Sequence, residues 1–563
     1  MVKDPLFRPI LRILAFTVAV AASASSAQAQ FINWQTVVNN ADKVPATDKN
    51  FNSYNQPSIN NAGLVVFRAR SSGKGGGEPA TGIFTRDMAT AGHPIVPIAM
   101  RGGVVPAPNT VNNPGPATFN EFPSFPRVDA NSGNLAFRGQ STPSFVTTLP
   151  DGSETRSGTS GLYATPGGGS LMTGIRNTLP GGPSQYLVPG DAAKFDQFPG
   201  APSPDGNVVT FKGNWTDNTG TAQTGVYFRD VVANGGASPV VKIAERGDAI
   251  PTNAVPTGGG PAVFGSTSPP SAANGKMVFT GLDNEDAPTA GGIFMAPLTD
   301  SPTLTTVAGF NTVVPNNGAT TLSAFGEGLS FDGRYVGFWG GWGTDTFDKQ
   351  VQCATDGNAI VRQACLDQDN SGIAGDGNYT FKVQKNQGIF LADTELNKLY
   401  LVAQTGTMFD DFLNWNFSGN AGQGGGDADG TEDLEGARWR SSAFLAIDGN
   451  DVVFKALTGG TSGLYGALGV SDLFSYDDIF TIVETGMDGS VLDPNAAGMN
   501  IVSLGIERDG FRNGNLAIAA SMANADAGWA GIYVSSVPEP STYGLMAIGL
   551  TGLFVFARRR RLG

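Results

Sequence analysis

Histidine and cysteine are almost missing from this chain: its 563 residues include one histidine, His93, and two cysteines, Cys353 and Cys365. With a single histidine, His-rich metal centres are excluded, and any Ser–His–Asp or Cys–His relay would have to pass through His93. That residue sits in a Gly92-His93-Pro94 turn, and no Gly-x-Ser-x-Gly elbow accompanies it. A phosphate-cradling Gly-Lys-Ser/Thr loop is absent too. Charge is scarce, at 15% of residues, and leans to Asp and Glu. The formal net charge is −14; residues 1–29 contribute +2 and residues 537–563 contribute +3, leaving about −19 between them. A surface of that sign repels nucleic acid and anionic lipid, so nucleic-acid binding is excluded as a role.

What the chain does have is glycine, proline and phenylalanine, at 78, 35 and 35 residues. Abundant Phe with little charge argues against disorder, and Gly and Pro at this density suit many turns between short strands. The two ends carry addresses. Lys3, Arg8 and Arg12, then an apolar stretch from Ile13 to Ala22, then Ala27-Gln28-Ala29 form a secretory signal peptide over residues 1–29, cut after Ala29. The other end reads Val537-Pro538-Glu539-Pro540, an uncharged run at 542–557, then Arg558, Arg559, Arg560 and Arg561. Sixteen residues of helix span about 24 Å, slightly short of the hydrocarbon core of about 30 Å. A buried core helix would have the same length, but four consecutive arginines resist burial and mark the cytoplasmic side of a membrane span.

This tail resembles the PEP-CTERM sorting signal of Gram-negative bacteria, in which a Pro-Glu-Pro box, a short membrane helix and a basic end follow in that order. The resemblance covers residues 537–563 and implies recognition of Pro538-Glu539-Pro540 by an exosortase-type processing enzyme. It further implies removal of the helix and basic end, and passage from the inner membrane to the cell surface or extracellular matrix, where exopolysaccharide is a common companion.

Between the ends, residues 30–536 repeat themselves. A polar turn followed by a short apolar strand recurs as Asn61–Phe67, Ser132–Phe137, Asp205–Phe211, Asn274–Phe279, Asp332–Phe338, Asp448–Phe454 and Asn513–Ile518. Each is followed by Gly, an aliphatic residue and an aromatic one: Gly82-Ile83-Phe84, Gly161-Leu162-Tyr163, Gly225-Val226-Tyr227, Gly292-Ile293-Phe294, Gly388-Ile389-Phe390, Gly463-Leu464-Tyr465 and Gly531-Ile532-Tyr533. A third apolar strand follows several copies, as at Ile98–Gly102 and Ile243–Asp248. Three or four strands per repeat are the sequence form of a propeller blade. The seventh repeat lacks the third element, whereas the mature N-terminus supplies an orphan one at Thr36–Pro45. The expected fold is therefore all-β, a seven-bladed β-propeller closed by the N-terminal strand, plus the C-terminal transmembrane helix. A β-solenoid and several β-sandwiches are the alternatives.

Successive repeats lie 59 to 74 residues apart except for one interval of 116, which implies an insertion at about 340–386. It holds Cys353 and Cys365, expected to form a disulfide closing a local loop. It also holds Asp367, Asp369, Ser371 and Asp376, whose Asp-x-Asp-x-Ser-Gly start is the pattern of a calcium loop. Asn378 stands where an EF-hand has its bidentate Glu, and no helix-forming flanks are evident. A second acidic stretch, Asp427–Glu435, has less specific spacing. No catalytic residue is assigned. The expected role is binding or structural, with an extracellular polysaccharide or surface protein as partner; the alternative is a secreted polysaccharide-acting hydrolase or lyase using paired carboxylates at the central channel.

Overall fold

The computed structural model describes residues 31–536 apart from 74–77, 91, 110–115, 143–144, 149–153, 177–183, 192, 257, 356–358, 369, 371–372, 374 and 419–436. Its strands form seven antiparallel sheets of four strand positions each and two separate hairpins. In every blade the two repeated motifs are the second and third strands, and their key residues pair directly. Phe67 faces Phe84, Phe137 faces Tyr163, Phe211 faces Tyr227 and Phe279 faces Phe294. Phe338 faces Phe390, Phe454 faces Tyr465 and Ile518 faces Tyr533.

The Gly-aliphatic-aromatic motif follows from how blades stack. Successive side chains of a strand point to opposite faces of its sheet. Ile83 therefore joins a core with Phe119, Phe137 and Tyr163 of the second blade, while Phe84 joins one with Ala517 and Ile532 of the seventh. Leu162, Val226, Ile293, Ile389 and Leu464 make the same forward contact, each packing against the next blade's aromatic pair or, for Leu464, against Ile518 and Tyr533. The glycine serves the outer strand. A Cβ on Gly225 would lie 2.5 Å from the Tyr227 hydroxyl and 2.8 Å from the Ala244 carbonyl. In all seven blades a bulge interrupts the pairing with the outer strand at this motif.

The innermost strand segments form a ring: Ser58–Ile59, Arg127–Val128, Ser203–Asp205, Ser271–Ala273, Ser330–Phe331, Leu445–Asp448 and Phe511–Arg512 each contact the next, and the last contacts the first. The seventh blade takes its outer strand from the N-terminus, where Ile32–Asn39 pairs antiparallel with Gly528–Ser536. Asp493 fastens this seam. It is 1% exposed and accepts hydrogen bonds from Asn39 Nδ2 at 2.7 Å, Trp529 Nε1 at 2.9 Å and the Tyr533 hydroxyl at 3.2 Å. Burial acts to raise its carboxyl, but these donors outweigh it and hold it below the ordinary carboxylate value.

Two predictions follow from these contacts. Phe294→Ala should cost about 3–5 kcal/mol in urea unfolding, whereas Leu473→Ala, at a side chain 93% exposed, should stay within about 0.5 kcal/mol. Because the Asp493 value is depressed on folding, its contribution is present above the unfolded carboxylate value and lost as pH falls through the folded one. Acid titration of Asp493→Asn should therefore show a shallower loss of stability than the parent chain.

Candidate functional site

Strand direction gives the ring two unlike faces. On one, the polar turns between inner and second strands hold neighbouring blades together. Gly275 N donates to Asp205 Oδ2 at 2.6 Å, Gly449 N to Asp332 Oδ2 at 2.9 Å and Gly514 N to Asp448 Oδ2 at 2.6 Å; Gly206 N donates to Asp129 in the same way. Asn274 Nδ2, Asn513 Nδ2 and Asn60 Nδ2 close the remaining seams on carbonyls of Asp332, Asn61 and Ser132. Burial pushes the carboxyls of Asp205 and Asp332 up, against the pull of the amides they accept from. Ser536, the last described residue, pairs with Ile32 and with Asn515, so both ends of the folded domain lie at this turn face.

The axis is filled. Residues Ile506–Gly510 lead from one inner strand segment of the seventh blade to the next, and bring Glu507 and Asp509 against arginines. Arg127, fully buried in the second blade, pairs with Glu507, with Asp509 Oδ2 at 3.4 Å and with Ser271 Oγ at 3.3 Å. Arg512 pairs with Asp509 at 2.6 Å, and Arg508 pairs with Glu507 at 3.3 Å while donating to the Pro269 carbonyl at 3.0 Å. Asp509 O accepts from Ile59 N at 2.9 Å, so the plug ties the first, second, fourth and seventh blades. Burial pushes the Glu507 carboxyl up despite Arg127. These are the acids that the ring geometry brings to the channel, and arginines engage both.

The opposite face carries the insertions. The second and third strands of the fifth blade, Tyr335–Gln352 and Asn378–Asp393, run past the blade as a paired arm. Its last ten residues beyond the sheet extend about 33 Å. A hairpin, Leu413–Ser418 with Arg438–Ala443, packs beside it just before the sixth blade, so the long repeat interval contains two insertions, not one. Phe381 and Trp415 stack at 4.5 Å, and Trp439 meets Tyr379 and Phe417 edge-on at 5.4 and 5.6 Å. Cys353 and Cys365 are bonded and buried in this cluster. Between arm, hairpin and sixth blade lies a pocket of about 330 Å³, walled by Val351, Leu413, Trp415 and Trp439. At its floor Lys349 Nζ meets Asp411 Oδ2 at 2.8 Å, and Asp411 Oδ1 accepts from Gln387 Nε2 at 3.0 Å. A smaller hairpin, Phe145–Thr148 with Glu154–Ser157, extends the second blade on this face.

His93, to which the sequence assigned no role, pairs with Asp87 at 3.0 Å on the turn face. Asp367 accepts from Gln363 Nε2 at 2.8 Å and Asp376 from Asn378 N at 2.8 Å; Asp369 and Ser371 lie outside the described residues. An α-helix, Ala359–Leu366, directly precedes this loop, contrary to the expectation of no helical flank: Cys365 turns into the aromatic cluster and gives the short segment a buried side. Among the described residues no group of three or more His, Cys, Asp or Glu could hold a metal ion. Asp427–Glu435, the signal peptide, Val537–Pro540, the span at 542–557 and Arg558–Arg561 lie outside the described residues. Among the described residues no helix is long and apolar enough to cross a membrane. The pocket went unforeseen; its one sequence signal is that four of seven tryptophans, Trp339, Trp342, Trp415 and Trp439, fall in the long interval.

Residues 15–341, more than half of the chain, match the Family of unknown function (DUF7453). The chain belongs to this family. Residues 536–561 match the PEP-CTERM protein-sorting motif, which marks the chain as exported, membrane-anchored before processing, and handled by an exosortase-type enzyme. No curated protein matches it. Among solved structures, the β-propeller domain of the Trilobed protease from Pyrococcus furiosus is similar over 87% of this chain and 100% of its own, at 8% identity and a TM-score of 0.38. The Hadza microbial sialidase Hz136 is similar over 65% and 72%, at 12% identity and 0.25. For the Pyrococcus horikoshii acylaminoacyl peptidase the shares are 61% of this chain and 44% of that one, at 11% identity and 0.21.

Removing Arg127 would leave two buried carboxylates short of a partner. Arg127→Ala should cost about 3–5 kcal/mol in chemical unfolding, and the double variant Arg127→Met with Glu507→Leu should recover much of it.

Proposed function

We propose that this protein is a surface or extracellular-matrix binding protein, delivered by its sorting tail, whose propeller is a rigid platform for the arm and hairpin. The observation that carries this is the division of labour between the faces. Both ends of the domain leave from the turn face, so the tethered protein turns the insertions away from the membrane. Loops placed by a rigid scaffold are the usual carriers of recognition. The partner would be an extracellular polymer or another surface protein.

A polysaccharide hydrolase is less well served by the same geometry. It would need two carboxyl groups about 5–9.5 Å apart and reachable by substrate. Glu507 and Asp509, the acids at the axis, are less than one-tenth exposed and bound to arginines.

Two measurements test this. Cell fractionation of Glu539→Ala should find the protein held in the membrane fraction; unchanged release to the surface would overturn the sorting part. Full-length protein incubated with polysaccharides should release no reducing ends. Release that disappears on mutating one carboxylate would replace the binding role by the hydrolase.

A further inference from the structure

We propose that the pocket between the arm, the hairpin and the sixth blade is a binding site for an uncharged polysaccharide segment, which rests on the binding role above and names its ligand. Its volume, about 330 Å³, falls in the range of small-ligand sites, about 300–1,000 Å³. A pyranose ring offers an apolar face of C–H groups and an edge of hydroxyls that both donate and accept. The pocket has a counterpart for each. Trp415 and Trp439 supply flat, half-buried aromatic walls stiffened by Phe381 and Phe417, ring contacts that hold each indole in one orientation.

For the hydroxyl edge, Lys349 commits one of its three ammonium donors to Asp411 and has no acceptor for the other two among the described residues. Gln352 and Ser462 line the same space with side chains that make no hydrogen bond among the described residues. Among the described residues Nε1 of Trp415 and Nε1 of Trp439 have no acceptor, but both are buried in the walls, so the indoles meet a ligand through their rings.

Charge selects among polymers. The Lys349–Asp411 pair is neutral as a unit, and the exported part of the chain carries about −19. Uronate-rich or sulfated polymers would be repelled on approach, and among the described residues that line the pocket the one cation, Lys349, is paired with Asp411. A neutral chain meets no such barrier.

The test is affinity electrophoresis of the full-length protein, in detergent, through gels containing dextran, laminarin or galactomannan, with alginate as the acidic polymer. At least one neutral polymer should retard the parent chain. Trp439→Ala should weaken that retardation about tenfold, the loss of one aromatic contact. Gln352→Ala sits at an exposed strand end and should weaken it several-fold with its melting temperature unchanged, which keeps the test open if the tryptophan variant does not fold. Retardation by no neutral polymer, stronger retardation by alginate, or binding indifferent to both substitutions would overturn the site. Failure here leaves the fractionation and reducing-end results untouched, so it is distinguishable from failure of the binding role itself.

Discussion

Everything in this molecule depends on a ring that has to close. Each blade buries the aliphatic side of its third strand against the next blade and the aromatic side against the previous one, so no blade completes its core alone. A chain of such units would leave two raw apolar faces. Here the first and last are pressed together by a strand from the opposite end of the chain, and Ile532 finds Phe67 and Phe84 as Ile83 finds Phe137. Closure makes seven equivalent seams, and within the seventh blade Asp493 pins the N-terminal strand that completes it.

Much of this was legible in the residues because it is local. Alternation along Gly82-Ile83-Phe84 and its six relatives is written within three positions, and the missing outer strand shows as a gap at one end and a surplus at the other. The aspartates of the Asp-Gly turns were legible only by half. Their turn propensity is a local property, whereas their acceptance of a neighbour's glycine N–H depends on a blade some 66 to 117 residues away. The axial plug was not legible at all: Arg127 and Glu507 are separated by 380 residues, and nothing near either announces the other. The arm was seen as an insertion, but its companion hairpin was hidden within the same long interval, and a helix was overlooked because one buried Cys365 is too little periodicity to read.

The two faces divide the protein's obligations. Short turns, each clasping its neighbour, tie the blades on the turn face, and the buried Arg127–Glu507 pair packs the middle of the ring. Sequence length has gone instead into the far side, where the arm, the paired hairpin and the hairpin of the second blade all rise. Rigidity and adornment are thus kept on opposite sides of one disc, which lets the distal loops vary without disturbing the seams.

The placement of the tail has a mechanical meaning. Residues Gly528–Ser536 are not an edge strand: Asn515–Ala523 grips them on one side and Ile32–Asn39 on the other. A pull transmitted through the tail enters at Ser536 and loads two ladders together. An edge strand would peel away one bond at a time, but here both rows have to slide before the strand yields. Before processing, a pull from the membrane anchor would therefore reach the part of the disc best built to resist being drawn out.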